Sequence, residues 1–293
     1  MIIVKLMGGL GNQMFQYALG RRVAYQRRTS LKLDLTWFQT QTLRSYQLDK
    51  LKISAGIASP EDVEELTRAK WGGLKGRVYQ AIQRRLPYYR RSVVVEQTPF
   101  FDPRIVKCVS RNAYLMGYWQ SEKYFIPIAS LLREELKLNE LLSPDCQAWA
   151  EKISKVKSVS LHVRRGDYVN NLNTNDFHGT CTLAYYADAI KYVRHHFPET
   201  NIFVFSDDMN WARQNLGSYA PLELVEIKNT NRDQEELMLM SLCDHHIIAN
   251  SSYSWWGAWL GTNPEKAVIA PRKWFNDTTR NTMDLIPESW VRL

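Results

Sequence analysis

The stretch that decides the fold is "VSLHVRRGDYV", residues 159–169, in which an apolar run meets two arginines, a glycine and an aspartate. Val159, Leu161 and Val163 alternate as they do in a strand that packs one face into a core. Two permanent charges at the end of such a strand are costly unless an anionic group meets them. The stretch therefore predicts a buried strand that ends at an anion-binding site.

Strand and helix patterns alternate around this stretch. The predicted strands lie at 158–163, 201–206, 222–227, 245–249 and 266–270. The predicted helices lie between them at 182–197, 208–216, 233–243 and 253–261. Strands joined by helical crossovers favour a parallel sheet with helices on both faces. Ligands of such sheets bind beyond the carboxyl ends of the strands, so we expect function in the strand-end loops.

The first half opens as a βαβ unit and then becomes less regular. Its strands are predicted at 2–7, 31–35, 92–96 and 113–119, and its helices at 12–28, 59–70 and 124–138. Residues 71–91 look like an exposed excursion, and the polar stretch 138–144 is the candidate boundary. We therefore expect two Rossmann-like domains, 1–142 and 143–293, facing across a cleft. The last residues of the second domain could pack back on the first.

Composition narrows the class of protein. The 293 residues are 45% hydrophobic and 23% charged, as in ordinary globular proteins. A net charge of +8 suggests an anionic partner, which could be nucleic acid, a phosphate ligand or an acidic membrane face. The four cysteines form no CxxC pair, which disfavours a zinc ribbon and favours a reduced, cytoplasmic chain. Without a signal peptide or a long apolar run, we expect any membrane contact to be peripheral, at the inner face.

The two arginines at the strand end, Arg164 and Arg165, are well suited to bind an anion. Their forked guanidinium groups match pyrophosphate oxygens and keep their charge as a phosphate leaves. His162 shares a strand face with Arg164, whereas Arg165 points the other way or begins the loop. The alternative is structural, since either arginine could simply pair with Asp167.

Two further strand ends are polar. In "FVFSDDMNWA", residues 203–212, Asp207 and its neighbour could cap the next helix or bind a nucleotide. In "IIANSSYSWWGAWLG", residues 247–261, a strand ends in Asn250, Ser251 and Ser252 before a helix begins. Hydroxyl and N–H groups at a helix start can bind an anion, or they can serve as a plain N-cap. The three tryptophans that follow at helical spacing are expected to pack a helix face.

Two other segments carry candidate polar groups. "MGGLGNQMFQYALG", residues 7–20, has Met14 where a dinucleotide fingerprint needs a third glycine, and it lacks the Gly-Lys-Ser/Thr of a Walker A loop. Asn12 and Gln13 in this segment suit sugar hydroxyls, because each amide both donates and accepts. The loop 170–180 is long enough to indicate function and carries Asp176 and His178. His178 could equally be a surface or capping histidine.

Taken together, these motifs resemble the α-1,2-fucosyltransferases of glycosyltransferase family 11. The resemblance covers residues 7–271 and rests on five segments in order: "GGLGNQMFQYALG", "HVRRGDY", "HGTC…YY", "FSDD" and "NSSYSWWGAWLG". It implies a GT-B-like α/β fold with an acceptor-side first domain and a donor-binding second domain. It also implies inverting transfer of L-fucose from GDP-β-L-fucose to the 2-hydroxyl of a terminal galactose, with no obligatory metal or cofactor.

The resemblance also implies roles for individual residues. Arg164 and Arg165 would hold the donor pyrophosphate and stabilise departing GDP. The other residues expected on the donor side are His162, Asp207, Glu236, Asn250, Ser251 and Ser252, with Glu236 at the guanine by spacing alone. The residues expected on the acceptor side are Asn12, Gln13, Phe15, Asp176 and His178. Asp167, Asp176 and His178 are the candidate general bases, although a mechanism without a protein base is also open. Asp167 is preferred as a residue that orients an arginine.

Three other functions fit parts of the sequence. A glycosyltransferase could use another sugar nucleotide, and the N-terminal glycine turn would suit an NAD-linked oxidoreductase or epimerase. The charge of +8 would suit a nucleic-acid-binding protein, but no basic stripe with interleaved aromatic residues supports that function. We therefore expect no nucleic-acid partner. A galactose-terminated glycan, either free or lipid-linked, is the expected acceptor, and the sequence does not predict an oligomeric state.

Overall fold

The chain forms two compact units, each with its own parallel sheet. The structure is a computed structural model that describes residues 1–68, 73–166, 179–219, 221–227, 232–277 and 282–293. The first unit comprises Met1–Lys137 and Met283–Leu285, and the second comprises Leu138–Thr282 and Ile286–Leu293. The chain therefore returns to its first unit near its end.

The described residues of the first unit contain a five-stranded parallel sheet. Its strands are β1 (Ile2–Lys5), β2 (Leu31–Asp34), β3 (Gly56–Ile57), β4 (Val93–Val95) and β5 (Ala113–Met116). They are arranged in the order β3-β2-β1-β5-β4. Strand β1 lies in the centre with Ile2, Ile3 and Val4 fully buried, because helices cover both faces of the sheet.

Five helices accompany this sheet in the described part of the first unit. They are α1 (Leu10–Arg27), α2 (Pro60–Thr67), α3 (Gly73–Arg85), α4 (Pro103–Cys108) and α5 (Ala129–Glu135). Gly20 lets α1 lie directly on the sheet, since a Cβ atom there would be 2.3 Å from Val4 Cγ2. The predicted start of α2 is confirmed, with Ser59 as N-cap and Pro60 as the first helical residue.

One expectation for the first half is wrong, and another gains detail. The predicted long helix at 124–138 is wrong: 3₁₀ turns at Glu122–Tyr124 and Ile126–Ile128 precede the short helix α5. Pro127 explains this, because a proline has no N–H to donate within a helix and disfavours helical geometry in the residue before it. The exposure expected for 71–91 is confirmed for most of its described residues, and the structure adds that α3 occupies Gly73–Arg85.

The returning segment Met283–Leu285 is bound to the first unit by Asp284. Its carboxylate accepts a hydrogen bond from the Phe101 backbone N–H (2.8 Å) and forms an ion pair with Lys123 Nζ (2.7 Å). The Asp284 side chain is only 13% exposed. Residues distant in sequence therefore complete the first unit.

The described residues of the second unit contain a six-stranded sheet in which every pair is parallel. Its strands are β6 (Ser158–Val163), β7 (Asn201–Ser206), β8 (Leu222–Leu224), β9 (His245–Ile247), β10 (Val268–Ala270) and β11 (Val291–Arg292). They are arranged in the order β11-β10-β9-β6-β7-β8. Strand β6 is buried along its whole length, which confirms the strand predicted from the opening stretch.

Helices cover this sheet as the alternating pattern predicts. They are α6 (Pro144–Ser154), α7 (Leu183–His196), α8 (Met209–Leu216), α9 (Asp233–Leu242) and α10 (Ser252–Leu260). Val159, Leu161 and Val163 point to one face, where they join the α7 core residues Ile190 and Val193. Helix α10 is buried from Ser254 to Leu260, and its three tryptophans are buried, which confirms their packing role.

The structure also shows the state of the cysteines and the character of the helices. Cys108, Cys146, Cys181 and Cys243 are all free thiols. Within the described ranges, no helix is both long enough and apolar enough to cross a bilayer.

Candidate active site

Three polar strand ends of the second unit meet at one edge of its sheet. Strands β7, β6 and β9 are consecutive neighbours and run parallel, so their carboxyl ends point the same way. The residues that follow them are Asp207 and Asp208, Arg164 and Arg165, and Asn250 and Ser251. The register of the sheet therefore brings together three motifs that are far apart in the sequence.

Asp207 holds the arginine loop from the neighbouring strand. Val163 pairs with Ser206 in the β6–β7 register, so the next residues on each strand, Arg164 and Asp207, face each other. Arg164 Nη1 lies 3.0 Å from Asp207 Oδ2. The same carboxylate accepts the backbone N–H groups of Arg165 (2.8 Å) and Gly166 (3.0 Å). One side chain therefore fixes both the guanidinium of Arg164 and the backbone that follows it.

Arg165 is held differently from Arg164. Its guanidinium carbon lies 4.4 Å from the ring centre of Trp211, and its Nε lies 3.4 Å from Asp208 Oδ2. Asp208 also caps α8 by accepting the Trp211 backbone N–H at 3.0 Å. The capping role suggested for the acid pair is thus confirmed for Asp208, whereas Asp207 serves the arginine loop.

Three sequence candidates fall outside the described residues. They are Asp167, Asp176 and His178, which were expected to supply arginine orientation, acceptor contacts or a general base. The suggested pairing of an arginine with Asp167 therefore stays a prediction. Among the described residues, Asp207 orients Arg164 and the backbone that follows it.

His162 is a buried, neutral imidazole next to the arginine loop. Its side chain is 3% exposed, and its Nδ1 has no hydrogen-bond partner in the described part of the chain. Burial, with a smaller effect of the Arg164 charge, lowers the pKa of His162 to about 3. The ring lies 5.6 Å from the ring of Tyr253. An uncharged imidazole with an unused nitrogen can donate or accept a hydrogen bond to a ligand.

Glu236 is a half-buried carboxyl close to these groups. Burial raises the pKa of Glu236 to about 7; the negative charges of Asp233 and Asp207 add to the rise, and Arg164 opposes it. A carboxyl that titrates near neutral pH is a frequent mark of a functional site.

Sequence reasoning missed Tyr253 at this edge of the sheet. Its hydroxyl donates a 2.6 Å hydrogen bond to the Asp233 carbonyl oxygen, linking the start of α10 to the start of α9. The signal was its place in the first helical turn after two serines, where an aromatic ring with a polar tip can face a ligand.

The serine motif divides into structural and exposed members. Asn250 is 3% exposed, and its Nδ2 donates to the Gly179 and Trp274 carbonyl oxygens, both at 3.1 Å. Ser251 is the N-cap of α10, with its Oγ accepting the Tyr253 N–H at 3.3 Å, so the N-cap interpretation is confirmed. Ser252 is partly exposed in the first turn, where the helix dipole favours an anion.

Three of the acceptor-side candidates lie in the first unit and differ in exposure. Gln13 is fully buried, and its amide bonds to the Gly8 and Ser45 carbonyl oxygens and to the Gln47 N–H. Phe15 is also fully buried and packs against Phe125 with ring centres 6.1 Å apart. Of the three acceptor-side candidates in the first unit, Asn12 alone keeps exposed surface, and its Oδ1 accepts a 2.7 Å bond from Gln120.

Counting only residues that the structure describes, no three His, Cys, Asp or Glu side chains come together as a group able to hold a metal ion. The charges that the described site offers to an anion are the guanidinium groups of Arg164 and Arg165.

Two solved structures share the fold of this chain. A mutant of Arabidopsis thaliana FUT1 in complex with GDP aligns with 99% of this chain and 75% of its own, at 13% identity and a TM-score of 0.54. POFUT1 in complex with GDP-fucose aligns with 91% of this chain and 97% of its own, at 14% identity and a TM-score of 0.50. The fold is α/β and GT-B-like, with two Rossmann-like domains, as the sequence predicts.

Sequence relatives identify the family. The model of glycosyl transferase family 11 matches residues 99–293. An Escherichia coli α-1,2-colitosyltransferase is 35% identical over 100% of this chain and 98% of the relative. The Escherichia coli O-antigen biosynthesis glycosyltransferase WbnK is 32% identical over 98% and 99%. A Caenorhabditis elegans galactoside 2-α-L-fucosyltransferase is 26% identical over 65% and 56%. The chain belongs to glycosyl transferase family 11.

Proposed function

We propose that this enzyme transfers L-fucose from GDP-β-L-fucose to the 2-hydroxyl of a terminal galactose, with inversion at the sugar carbon. The observation that carries the proposal is the arginine pair at the end of β6, with Asp207 and Asp208 bound to it. The names of the relatives support the linkage and the sugar class, since one is an α-1,2-colitosyltransferase and another a galactoside 2-α-L-fucosyltransferase.

Arg164 is the proposed main contact for the donor pyrophosphate. A guanidinium carries five N–H donors in a fixed fork that suits pyrophosphate oxygens, and the ion pair between Nη1 and Asp207 would orient this fork. Arg165 would add charge to the same site from its place between Trp211 and Asp208. Since Asp207 orients the loop, its proposed donor role is indirect.

The arginines would act mainly on the leaving group. Glycosyl transfer passes through a state in which positive charge grows on the sugar and negative charge grows on the departing phosphate. Fixed positive groups stabilise that charge without reorganising, and losing one well-placed donor typically slows a reaction about 10²–10³-fold. This cationic stabilisation is the reason that no obligatory metal is proposed.

The remaining second-unit candidates would bind the nucleoside and phosphates. Glu236 in its ionised form would accept hydrogen bonds from the guanine N–H groups, and His162 would contact the donor through Nδ1, which has no partner among the described residues. Ser252 and the N-terminus of α10 would meet phosphate or ribose oxygens, while Ser251 and Asn250 hold that turn in place.

The acceptor side and the base rest on the family resemblance. We propose the domain 1–142 for the acceptor, with Asn12 as its exposed contact, and the domain 143–293 for the donor. Asp176 and His178 are the proposed acceptor contacts and, with Asp167, the candidates for a general base. We propose a cytoplasmic enzyme whose acceptor is either a free oligosaccharide or a lipid-linked glycan.

One specific observation favours a second donor. The relative that is 35% identical over the whole chain is named a colitosyltransferase. Colitose is L-fucose without its 3-hydroxyl, so a pocket that leaves this hydroxyl without a hydrogen bond would accept both sugars.

The decisive experiment compares the two donors directly. The enzyme is incubated with GDP-fucose or GDP-colitose and a panel of galactosides, and NMR identifies the new linkage. We expect an α-1,2-linked fucoside and equal rates with and without EDTA. Faster transfer from GDP-colitose than from GDP-fucose would show that GDP-colitose is the preferred donor. Absence of both transfer and donor hydrolysis would contradict the proposed function.

A further inference from the structure

Helix α3 is fixed to the first unit by one of its faces. Tyr79 Oη lies 2.5 Å from Ser92 Oγ and donates to the Leu66 carbonyl oxygen at 3.2 Å. Gln83 is 7% exposed, and its Oε1 accepts the backbone N–H groups of Ser92 (2.9 Å) and Val93 (3.3 Å). These side chains are four residues apart, so a single helix face meets the edge of β4.

A different face of α3 presents apolar side chains to solvent. Leu74, Val78 and Ile82 are 78%, 49% and 50% exposed. Their spacing of four residues places them in one row along the helix, which we call the α3 stripe. A surface helix normally turns such a row toward the core, but here the core-facing positions are taken by Tyr79 and Gln83. The stripe therefore needs an apolar environment that its own unit does not supply.

The charges around the α3 stripe are all of one sign. The sequence has no acidic residue between Glu65 and Glu96. The exposed basic residues of the helix are Lys75, Arg77, Arg84 and Arg85. In the described part of the chain none of the four makes an ion pair, so their charges are available to an anionic surface.

We propose that α3 docks this enzyme on an anionic phospholipid bilayer, with the α3 stripe at the boundary between headgroups and acyl chains and the basic residues on lipid phosphates. A cationic helix with an aliphatic row is the form that lies in the plane of a membrane interface. A nucleic acid would use the charges but leave the aliphatic row in water, and an acidic protein would have to match both features. This inference does not depend on the donor or acceptor proposed above.

Vesicle co-sedimentation of the full chain tests the proposal. Vesicles of phosphatidylcholine mixed with phosphatidylglycerol are compared with vesicles of phosphatidylcholine alone, at low and high salt. We expect binding only to the anionic vesicles and release by salt, because each basic residue near such a surface contributes about fivefold in affinity.

Two sets of variants separate the two parts of the surface. The first is Leu74→Ser with Val78→Ser and Ile82→Ser, and the second is Arg77→Glu with Arg84→Glu. We expect the second set to weaken vesicle binding by a factor of about 25 or more. The first set should also release the protein, although its charge is unchanged. Matched controls are Leu141→Ser and Lys155→Glu, which alter an exposed leucine and an exposed lysine of the second unit and should bind as the unchanged protein does.

Several results would overturn the proposal. Equal vesicle binding by the variants and the unchanged protein would exclude α3 as the docking surface, and so would binding that ignores phosphatidylglycerol. If light scattering shows that the unchanged protein is a dimer and that only the serine variant is a monomer, the α3 stripe is a contact between two copies. Salt-sensitive RNA binding that the serine variant retains, without vesicle binding, would assign the charges to nucleic acid. Because all the substituted side chains are exposed, thermal melting should be unchanged and any loss of binding reports on the surface.

Discussion

Arg164 and Asp207 follow two neighbouring parallel strands and form an ion pair with Nη1 and Oδ2 3.0 Å apart. The same carboxylate accepts the backbone N–H groups of the next two residues, Arg165 and Gly166. The loop that carries the proposed pyrophosphate contact is therefore shaped by a residue 43 positions away from Arg164. This relationship makes Asp207 a positioning residue whose effect should reach the reaction through Arg164.

Replacing Asp207 by Asn tests that role. The amide keeps the size of the side chain but loses the charge and one acceptor. We therefore expect kcat to fall and the Kd for GDP to rise by about 10- to 100-fold, which corresponds to the free energy that a hydrogen bond to a charged group contributes. Steady-state kinetics and calorimetry with GDP measure the two effects. Asp188→Asn, on the exposed side of α7, is the control. If Asp207→Asn lowers only the melting temperature, Asp207 has no positioning role.

Substitution by lysine should have different effects on activity at Arg164 and at Arg165. Arg164→Lys removes the forked donors proposed for the pyrophosphate, and we expect a loss of about 10²–10³-fold in kcat. Arg165→Lys removes the stacking on Trp211 and the bond to Asp208, and we expect a smaller loss of activity together with reduced thermal stability. Parallel kinetics and melting curves separate these outcomes. Normal turnover and GDP affinity in both variants would exclude a pyrophosphate role for this loop.

Glu236 should make stability and GDP binding depend on pH in opposite directions. Its pKa is raised from 4.5 to about 7 in the folded protein. Between those values the folded state holds a proton that the unfolded state has lost, so the free energy of unfolding falls as pH rises, by at most about 1.4 kcal/mol per pH unit. If the ionised carboxyl binds guanine, GDP affinity should instead rise as pH passes through 7.

Glu236→Gln removes both effects, since an amide does not titrate. We expect flatter profiles for the variant in thermal melts from pH 5 to 8 and in calorimetric titrations with GDP. Asp233, Asp207, Arg164 and Tyr253 also face this carboxyl and stay unchanged in the comparison. Superimposable pH profiles for the variant and the unchanged protein would contradict the assignment.

Asp284→Ala should destabilise the first unit. The substitution removes the acceptor of the Phe101 N–H and the partner of Lys123, which leaves a partly buried N–H without its bond. We expect a loss of about 1–3 kcal/mol in the free energy of unfolding, measured by urea denaturation. Glu140→Ala, which removes an exposed acid of the second unit, serves as the control. Equal loss in both variants would show that Asp284 has no special part in the unit.

Local patterns predict much of this fold correctly. Alternation in residues 159–163 predicts a strand with one face in a core, and β6 confirms the strand, although its central place in a parallel sheet buries both faces. The capping residues Ser59 and Pro60 place the start of α2 because they satisfy the first helical N–H groups locally. Such features depend on neighbours within a few residues, and the sequence displays them directly.

Features that depend on register or on competition between faces are less visible. The partner of Arg164 emerges only when the β6–β7 register sets it opposite Asp207. Gln13 suits a sugar site by residue type, and the family resemblance places Phe15 there, yet both side chains are fully buried in the first unit. The exposed segment 71–91 contains helix α3, whose Tyr79 and Gln83 bind Leu66 and the edge of β4. These partners lie outside the helix in sequence, so local spacing does not predict the contacts.

The return of the chain at Met283–Leu285 has a consequence for synthesis on the ribosome. Translation delivers Lys137 long before Asp284, so the nascent first unit lacks the bond from the Phe101 N–H to Asp284 and the ion pair of Lys123 with Asp284 while the second unit is made. The first unit is completed only after Leu138–Thr282 of the second unit have been made. A truncated transcript would therefore yield a first unit that is weaker than its nearly complete sequence suggests.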